Sequence, residues 1–485
     1  MRMHLRTALA TAVAATLTGG LLVAGQGMAT AAPSGLQGDF NGDGYRDLAI
    51  SAARATVNGK AEAGAVSVFY GSASGAGAAR IQTITQETAG IPGSAEKGDV
   101  FGGHTAVGDF NDDGYADLAI GVASEDVGTD VDGGTAIVVF GAAGGLSGAA
   151  TVSDPSPSSH DKFGRALAAG DFNGDGKDDL AVASDINKID IFKGGFTKTG
   201  GNGGRYTVTP AILAVPGPDI FNLTAGNVNG DARTDLIVDG YEGDSSGDYS
   251  WNANYYLPGS ASGITTTGSL KLPAGIITDI GDTNGDGYGD IVVGNSWDVS
   301  ADSPGRSKGG AVDVVYGTPS GPTGGVFTID QNSPGVPGSN ETGDSFGHEL
   351  SLGDINGDGL QDLAIGSPGE DIGTVKDAGM VSVLYGTPNG FFSATGLAIE
   401  QETTGVPGSG ETGDGFGGEV FLSDVTGDGR ADLTVGVPGE NAFDGNVVAF
   451  RSNGSTMSTT GIAYGLTATK ISSAGQPMLG INISG

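Results

Sequence analysis

Cysteine is absent from all 485 residues, so no disulfide staples this fold and no thiolate serves as nucleophile or metal ligand. Basic residues are scarce: 22 Lys and Arg stand against 57 Asp and Glu, for a net charge of −35. That balance disfavours nucleic acid and anionic membranes as partners. Only His104, His160 and His348 lie beyond residue 32, and none belongs to an H-E-x-x-H zinc signature. Long amphipathic helical patterns are missing, and after residue 32 no stretch approaches the ~18 apolar residues of a membrane helix. What is left is an acidic, glycine-rich chain (92 Gly), long enough to bury a large core without staples.

Residues 1–32 read as a secretory signal peptide. Arg2 and Arg6 make a basic start, Ala8 to Ala24 is small and apolar, and Ala29-Thr30-Ala31 is a cleavage motif. Gly19-Gly20, Thr16 and Thr18 dilute the run relative to a membrane anchor. The expectation is a secreted, extracellular protein whose single domain occupies 33–485, with no membrane span.

A nine-residue pattern, D-x-N-x-D-G-x-x-D, organises that domain. It is clearest at Asp109-Phe110-Asn111-Asp112-Asp113-Gly114-Tyr115-Ala116-Asp117, and it also begins at Asp39, Asp171, Asp282, Asp354 and Asp424. A degraded copy begins at Asn227, with Ala232 in place of Gly. Positions 1, 3, 5 and 9 carry side-chain oxygens, position 7 can offer its backbone carbonyl, and Gly at position 6 permits a sharp turn. Ca²⁺ takes six to eight such oxygens, whereas Mg²⁺ demands a smaller, regular octahedron, so the loops are expected to hold Ca²⁺.

The expected ligands are Asp39, Asn41, Asp43, Tyr45 and Asp47 in the first copy, and Asp109, Asn111, Asp113, Tyr115 and Asp117 in the second. Asp171, Asn173, Asp175, Lys177 and Asp179 follow, then Asp282, Asn284, Asp286, Tyr288 and Asp290. Asp354, Asn356, Asp358, Leu360 and Asp362 form the next set, and Asp424, Thr426, Asp428, Arg430 and Asp432 the last. The Asn227 loop, short of one charge and with Arg233 beside Asp231, is expected to be empty or weak. An EF-hand is excluded because position 12 is apolar in every copy (Ile50, Ile120, Val182, Val238, Val293, Ile365, Val435) where that motif needs Glu. Asp, Asn and Gly also build turns with no metal at all; six intact copies favour the cation.

Loop starts are spaced by 70, 62, 56, 55, 72 and 70 residues, and each period holds four short apolar runs. That is the signature of a propeller blade, so the fold class is all-β, a seven-bladed propeller of four-stranded antiparallel blades. Within a period, Phe101-Gly102 is expected to open the first strand, Leu118–Ala123 to form the second and Thr135–Phe140 the third. The chain ends are expected to meet: Leu479–Ile483 should supply blade one's missing strand beside Leu48–Ala52, with Thr467–Ile471 as the outer strand of the last blade.

Phe101-Gly102, Phe163-Gly164, Phe346-Gly347 and Phe416-Gly417 each stand eight residues before a loop, and Gly366-Ser367-Pro368-Gly369 and Gly436-Val437-Pro438-Gly439 follow second strands. These motifs resemble the FG-GAP repeat family, the propeller of integrin α subunits and its bacterial relatives. The resemblance implies seven blades, Ca²⁺ in the loops and an extracellular recognition role; nothing here resembles an inserted integrin adhesion domain.

Function should then sit opposite the calcium loops, on the longer connections Glu125–Asp132, Trp297–Lys308 and Pro368–Asp377 and on Thr88–Asp99, Pro334–Asp344 and Thr403–Asp414. Recurrent Pro-Gly-Ser turns with Glu96/Asp99, Glu341/Asp344 and Glu411/Asp414 read either as blade packing or as an acidic binding surface. Trp251, Trp297 and Tyr255-Tyr256 are read as aromatics in irregular loops, able to stack on sugars. His104 and His348 are read as equivalent positions with a repeated structural role. Two classes stay open: a monomeric recognition or adhesion module for a protein or glycan, and a carboxylate-based glycosidase or lyase acting on extracellular polysaccharide.

Overall fold

The computed structural model describes residues 35–485 apart from 213–219, 244–249, 300–306 and 392–395; the expected signal peptide lies outside the described residues. Among the described residues, seven four-stranded antiparallel sheets make up the fold. Counting from the inner strand, blade 1 is Ile483–Ser484, Leu48–Ala52, Ala65–Phe69 and Ile81–Ile84, and blade 2 is Thr105–Gly108, Asp117–Val122, Thr135–Val139 and Ala149–Val152. Blade 3 is Ala166–Gly170, Asp179–Ala183, Ile189–Phe192 and Arg205–Val208, and blade 4 is Ile220–Gly226, Asp235–Gly243, Ser250–Leu257 and Leu270–Lys271. Blade 5 is Ile277–Gly281, Asp290–Asn295, Ala311–Val315 and Val326–Ile329. Blade 6 is Glu349–Gly353, Asp362–Ser367, Met380–Leu384 and Gly396–Ile399, and blade 7 is Glu419–Ser423, Asp432–Val437, Asn446–Ser452 and Met457–Tyr464.

The apolar pattern explains the layering. Second strands such as Asp117–Val122 and Asp362–Ser367 are buried at every residue, because each sheet is covered on both faces by its neighbours. Outer strands alternate, as in Val326–Ile329, because one side meets water. One apolar cluster fills each blade junction. Ile120, Ile137 and Val139 of blade 2 join Val66 and Val68 of blade 1. Leu479 and Ile483 join Val447 of blade 7 to Leu48 and Ile50 of blade 1.

The Phe-Gly pairs do not open strands, contrary to the sequence expectation. Blade 2's inner strand starts at Thr105, and Phe101-Gly102 is a turn before it. Phe101, Phe163, Phe346 and Phe416 are fully buried, and Phe163, Phe346 and Phe416 each bridge in parallel to the residue before the preceding blade's third strand (Gly134, Gly310, Gly379). The glycine is needed twice over. Gly164 has φ +92, and a Cβ there would lie 2.4 Å from the Thr135 carbonyl oxygen. This turn therefore welds one blade to the last.

Two other expectations are corrected. Blade 7's outer strand is Met457–Tyr464, and Leu466–Thr469 is a single helical turn, so Thr467–Ile471 is not a strand. Trp251 and Tyr255-Tyr256 lie within the strand Ser250–Leu257 and not in a loop. There Trp251 Nε1 donates to Glu242 Oε2 at 3.2 Å and Tyr255 Oη donates to Glu242 Oε1 at 3.0 Å.

Candidate functional site

Six of the D-x-N-x-D-G-x-x-D loops run from an inner strand into the second strand of the same blade, and the Asp39 loop, whose blade takes its inner strand from Ile483–Ser484, leads into Leu48–Ala52, so all seven lie on one face of the blades. The position 1 carboxylate is the hub of the turn. In the first copy Asp39 Oδ1 accepts from the backbone N–H of Gly42 (2.6 Å) and Asp43 (3.2 Å), and Oδ2 accepts from Gly44 (2.8 Å). Asp171, Asp282 and Asp354 repeat all three bonds, and Asp109 and Asp424 keep those to positions 5 and 6. Position 5 accepts from the position 7 N–H, as Asp43 does from Tyr45 at 3.1 Å. Gly114 at position 6 has φ +85, as the turn required.

Position 9 is a buried strut. Asp47, Asp117, Asp179, Asp235, Asp290 and Asp362 are fully buried. Asp117 Oδ2 accepts from Phe110 N and its Oδ1 from Gly141 N, the residue just beyond the third strand, at 3.1 and 2.8 Å. The same two-way bond recurs at Asp47, Asp235, Asp290 and Asp362, while Asp432 takes Thr426 N at position 3 and Ser452 N at the end of the third strand. Asp179 keeps only the Gly194 arm and takes the Asn173 amide in place of the other. Burial drives these carboxyls up, to about 8 at Asp47 and Asp117 and about 7 at Asp362, and the acids at positions 1 and 5 push further in the same direction.

Whether this donor set suits a cation can be read from its unmet needs. At position 3, Asn111 Oδ1 is a buried oxygen without a hydrogen-bond partner. The mutual repulsion of the acids at 1, 5 and 9 is of the kind a cation relieves. Among the described residues, no three His, Cys, Asp or Glu side chains form a cage by themselves. A cation here would depend on amide, hydroxyl and carbonyl oxygens beside the acids, which is the oxygen-rich mixture that suits Ca²⁺.

The degraded copy keeps its shape with one carboxylate fewer. Ala232 holds the left-handed conformation, φ +67, and Asp235 retains both strut bonds. Arg233 Nη1 sits 3.3 Å from Asp231 Oδ2, as its sequence position foretold.

Position 7 has a second role that no pattern within one copy reveals. Its side chain lies over position 4 of the preceding blade's loop. A Cβ at Gly174 would meet Arg233 at 3.3 Å, one at Gly357 would meet Arg430 at 3.2 Å, and one at Gly427 would meet Tyr45 at 3.0 Å. Lys177 Nζ pairs with Asp112 Oδ2 at 3.1 Å. The loops interlock from blade to blade.

On the opposite face the Pro-Gly-Ser turns prove to be packing devices. Asp99, Asp344 and Asp414 are buried, and each Oδ2 accepts the backbone N–H three residues earlier, from Glu96, Glu341 and Glu411, at 2.5–2.7 Å. The two histidines are not equivalent. His104 pairs across its blade with Gly121, one place later than His348 and in register with Glu349 (opposite Gly366) and Glu419 (opposite Gly436). Desolvation, helped by the Arg165 charge, lowers His104 to about 4. Glu349 and Glu419 are pushed up by burial, Glu349 further by Asp279 and Asp239, and Glu419 further by Glu349. These are the acids that converge at the inner strands, but Glu419 Oε1 is committed to the Ile483 N–H at 3.0 Å.

The FG-GAP repeat model matches residues 31–69, 101–140, 163–204, 346–384 and 416–450. The chain is an FG-GAP repeat β-propeller. The unmatched blades 4 and 5 both lack a Phe-Gly turn ahead of their loops. Among known proteins, this propeller is similar to mouse phosphatidylinositol-glycan-specific phospholipase D, at 31% identity over 42% of this chain and 23% of that protein. Integrin alpha-PS2 of Drosophila melanogaster is 27% identical over 43% of this chain and 15% of its own length. Integrin alpha pat-2 of Caenorhabditis briggsae is 28% identical over 56% and 18%. The match thus spans less than a quarter of each relative. Among the described residues no helix is long and apolar enough to cross a membrane.

Proposed function

We propose that this chain is an exported, calcium-stabilised recognition module that binds an extracellular protein or glycan with the face opposite its acidic loops. The observation that carries the reading is the division of labour between the two faces. One face repeats a rigid, oxygen-rich loop in every blade, with acids at positions 1, 5 and 9 in six of them. The other carries longer connections on that rigid frame: three repeat the Pro-Gly-Ser turn, while those around blades 3 to 5 differ in sequence from them and from one another, and binding residues tend to reside on such loops. Residues 1–32 direct export and are removed, and the monomer is the working unit. Similarity to integrin α subunits accords with a protein ligand.

The test is a glycan and peptide array probed with the mature protein, with and without calcium, beside a polysaccharide-depolymerisation screen. Calcium-dependent binding without depolymerisation is the expected result. Chain cleavage of a polysaccharide, lost in Glu349→Gln, would replace this reading with the carboxylate-enzyme one.

A further inference from the structure

Basic side chains are few in this molecule, yet three of them gather in one cavity. On the face opposite the acidic loops, beside the inner strands of blades 1 to 3, a cavity of about 430 Å³ is lined by Arg54, Lys162, Arg165 and His104. Its volume lies within the ~300–1,000 Å³ of ordinary ligand sites. The remaining walls are small or apolar, with Val100 and Ile481 among them, and Ser124 adds a hydroxyl. No Asp or Glu is among the described residues lining it, in a chain where acids outnumber bases 57 to 22.

The cations come from separate places: Arg54 follows the second strand of blade 1, while Lys162 and Arg165 flank the Phe163-Gly164 turn that enters blade 3. The ring alone brings them together. Arg54 Nε is 3.4 Å from Glu62 and Lys162 Nζ is 3.0 Å from Asp132, but these partners stand outside the cavity and are 43% and 46% exposed. Exposed pairs of that kind are weak and exchange readily for another anion. Lys162 Nζ also donates to Ser124 Oγ at 3.0 Å, which steadies it at the wall. His104, neutral at physiological pH, offers a hydrogen bond without charge.

We propose that this cavity binds the anionic sugar residues of an acidic polysaccharide, with carboxylates held by Arg54 and Lys162 and the sugar's apolar face against Val100 and Ile481. This rests on the recognition reading above and names its ligand class. A single acidic side chain would need one guanidinium; a guanidinium and an ammonium supplied by two different blades suit an oligomer with an anion on every residue.

The experiment is calorimetric titration of the calcium-loaded protein with trisaccharides of galacturonate, mannuronate and glucuronate, and with neutral galactotriose. At least one uronate should bind, and the neutral sugar should not. Arg54→Gln and Lys162→Gln should each weaken binding about tenfold, the size expected for one charge-assisted contact, and the double variant should abolish it. Both side chains are partly exposed, so unchanged melting of the single variants is expected and checks folding. No uronate binding, equal binding of galactotriose, or unchanged affinity in both single variants would each overturn the proposal. If an array ligand is retained undiminished by the double variant, this site is wrong while the recognition reading stands.

Discussion

Gln331 Nε2 donates to Glu370 Oε2 at 2.7 Å, and the bond recurs from Gln86 to Glu125 and from Gln401 to Glu440 at the same length. Each bond crosses a blade junction, from the end of one outer strand to the end of the next blade's second strand. It also explains the turn above it: a Cβ at Gly338 would lie 2.6 Å from Gln331 Nε2. The recurrent acidic segments are thereby read as blade welds.

Removing that donor leaves a half-buried carboxylate in place. Gln331→Ala should destabilise the fold by about 1–3 kcal/mol, the range for stranding a buried polar group, whereas Glu370→Gln, which keeps an acceptor, should cost less. Thermal unfolding of the two variants checks the order; equal melting of Gln331→Ala and wild type would remove the weld from the account.

The strut at position 9 can be separated from any metal by using the degraded loop. Asp235→Ala strips the acceptors from Val228 N and Gly259 N, both buried, and should cost about 2–5 kcal/mol through lost bonds and stranded donors. Asp231→Ala, at an exposed position, should change stability by less than about 0.5 kcal/mol. Denaturant unfolding, run with and without chelator, should give the same order in both.

Much of the architecture is legible in the sequence because it is local. The D-x-N-x-D-G-x-x-D turn, the apolar second strand after it and the period all lie within a few dozen residues. Most of what was misread depends on contacts between blades. Phe101-Gly102 looks like the start of a strand until the preceding blade's third strand is seen beside it, and the side chain of Arg233 gains its role only from Gly174 in another repeat. His104 and His348 both come soon after a Phe-Gly pair, but Gly103 stands where His348 does and His104 where Glu349 does, a difference that is local and lies in the sequence itself. The basic cavity left no linear trace, since Arg54 and Lys162 are far apart in the chain.

Calcium should carry much of the stability. Binding tenfold below ambient concentration contributes about 1.4 kcal/mol per site, so six sites together rival the ~5–15 kcal/mol of a typical domain. A chelator should lower the melting temperature by well over about ten degrees. An unchanged melt, with metal-free protein verified by elemental analysis, would refute the role.

Glu349 sets a pH dependence of the opposite sign to that of a salt-bridged acid. Burial, with Asp279 and Asp239 nearby, raises its folded-state pKa above the unfolded value of about 4.3. Glu419, itself raised, lies beside it. The folded state therefore holds the extra proton, and this stabilisation is complete below the unfolded pKa and is lost as pH rises toward the folded one. Glu349→Gln keeps the neutral shape without the titration. Its melting temperature, measured at saturating calcium, should gain on wild type between pH 5 and pH 8; parallel curves would contradict the assignment.

The C-terminal segment should be indispensable. Ile483 and Ser484 pair antiparallel with Ile50 and Ala49, a shorter strand than the expected Leu479–Ile483. Leu479-Gly480 instead takes the Phe-Gly place. Leu479 is fully buried and bridges in parallel to Gly445, and a Cβ at Gly436 would lie 2.1 Å from the Gly480 carbonyl oxygen, as one at Gly366 would from that of Gly417. Thr105 Oγ1 bonds to Asn482 Oδ1 and Ser484 Oγ at 2.9 and 2.8 Å, which ties the same segment to blade 2. Deleting residues 476–485 removes these links and bares the edge of Leu48–Ala52, a strand buried at every residue, and such edges recruit other chains. The truncated protein should melt lower and sediment as oligomers. A truncated monomer as stable as the full chain would show that the first and last blades hold together without it.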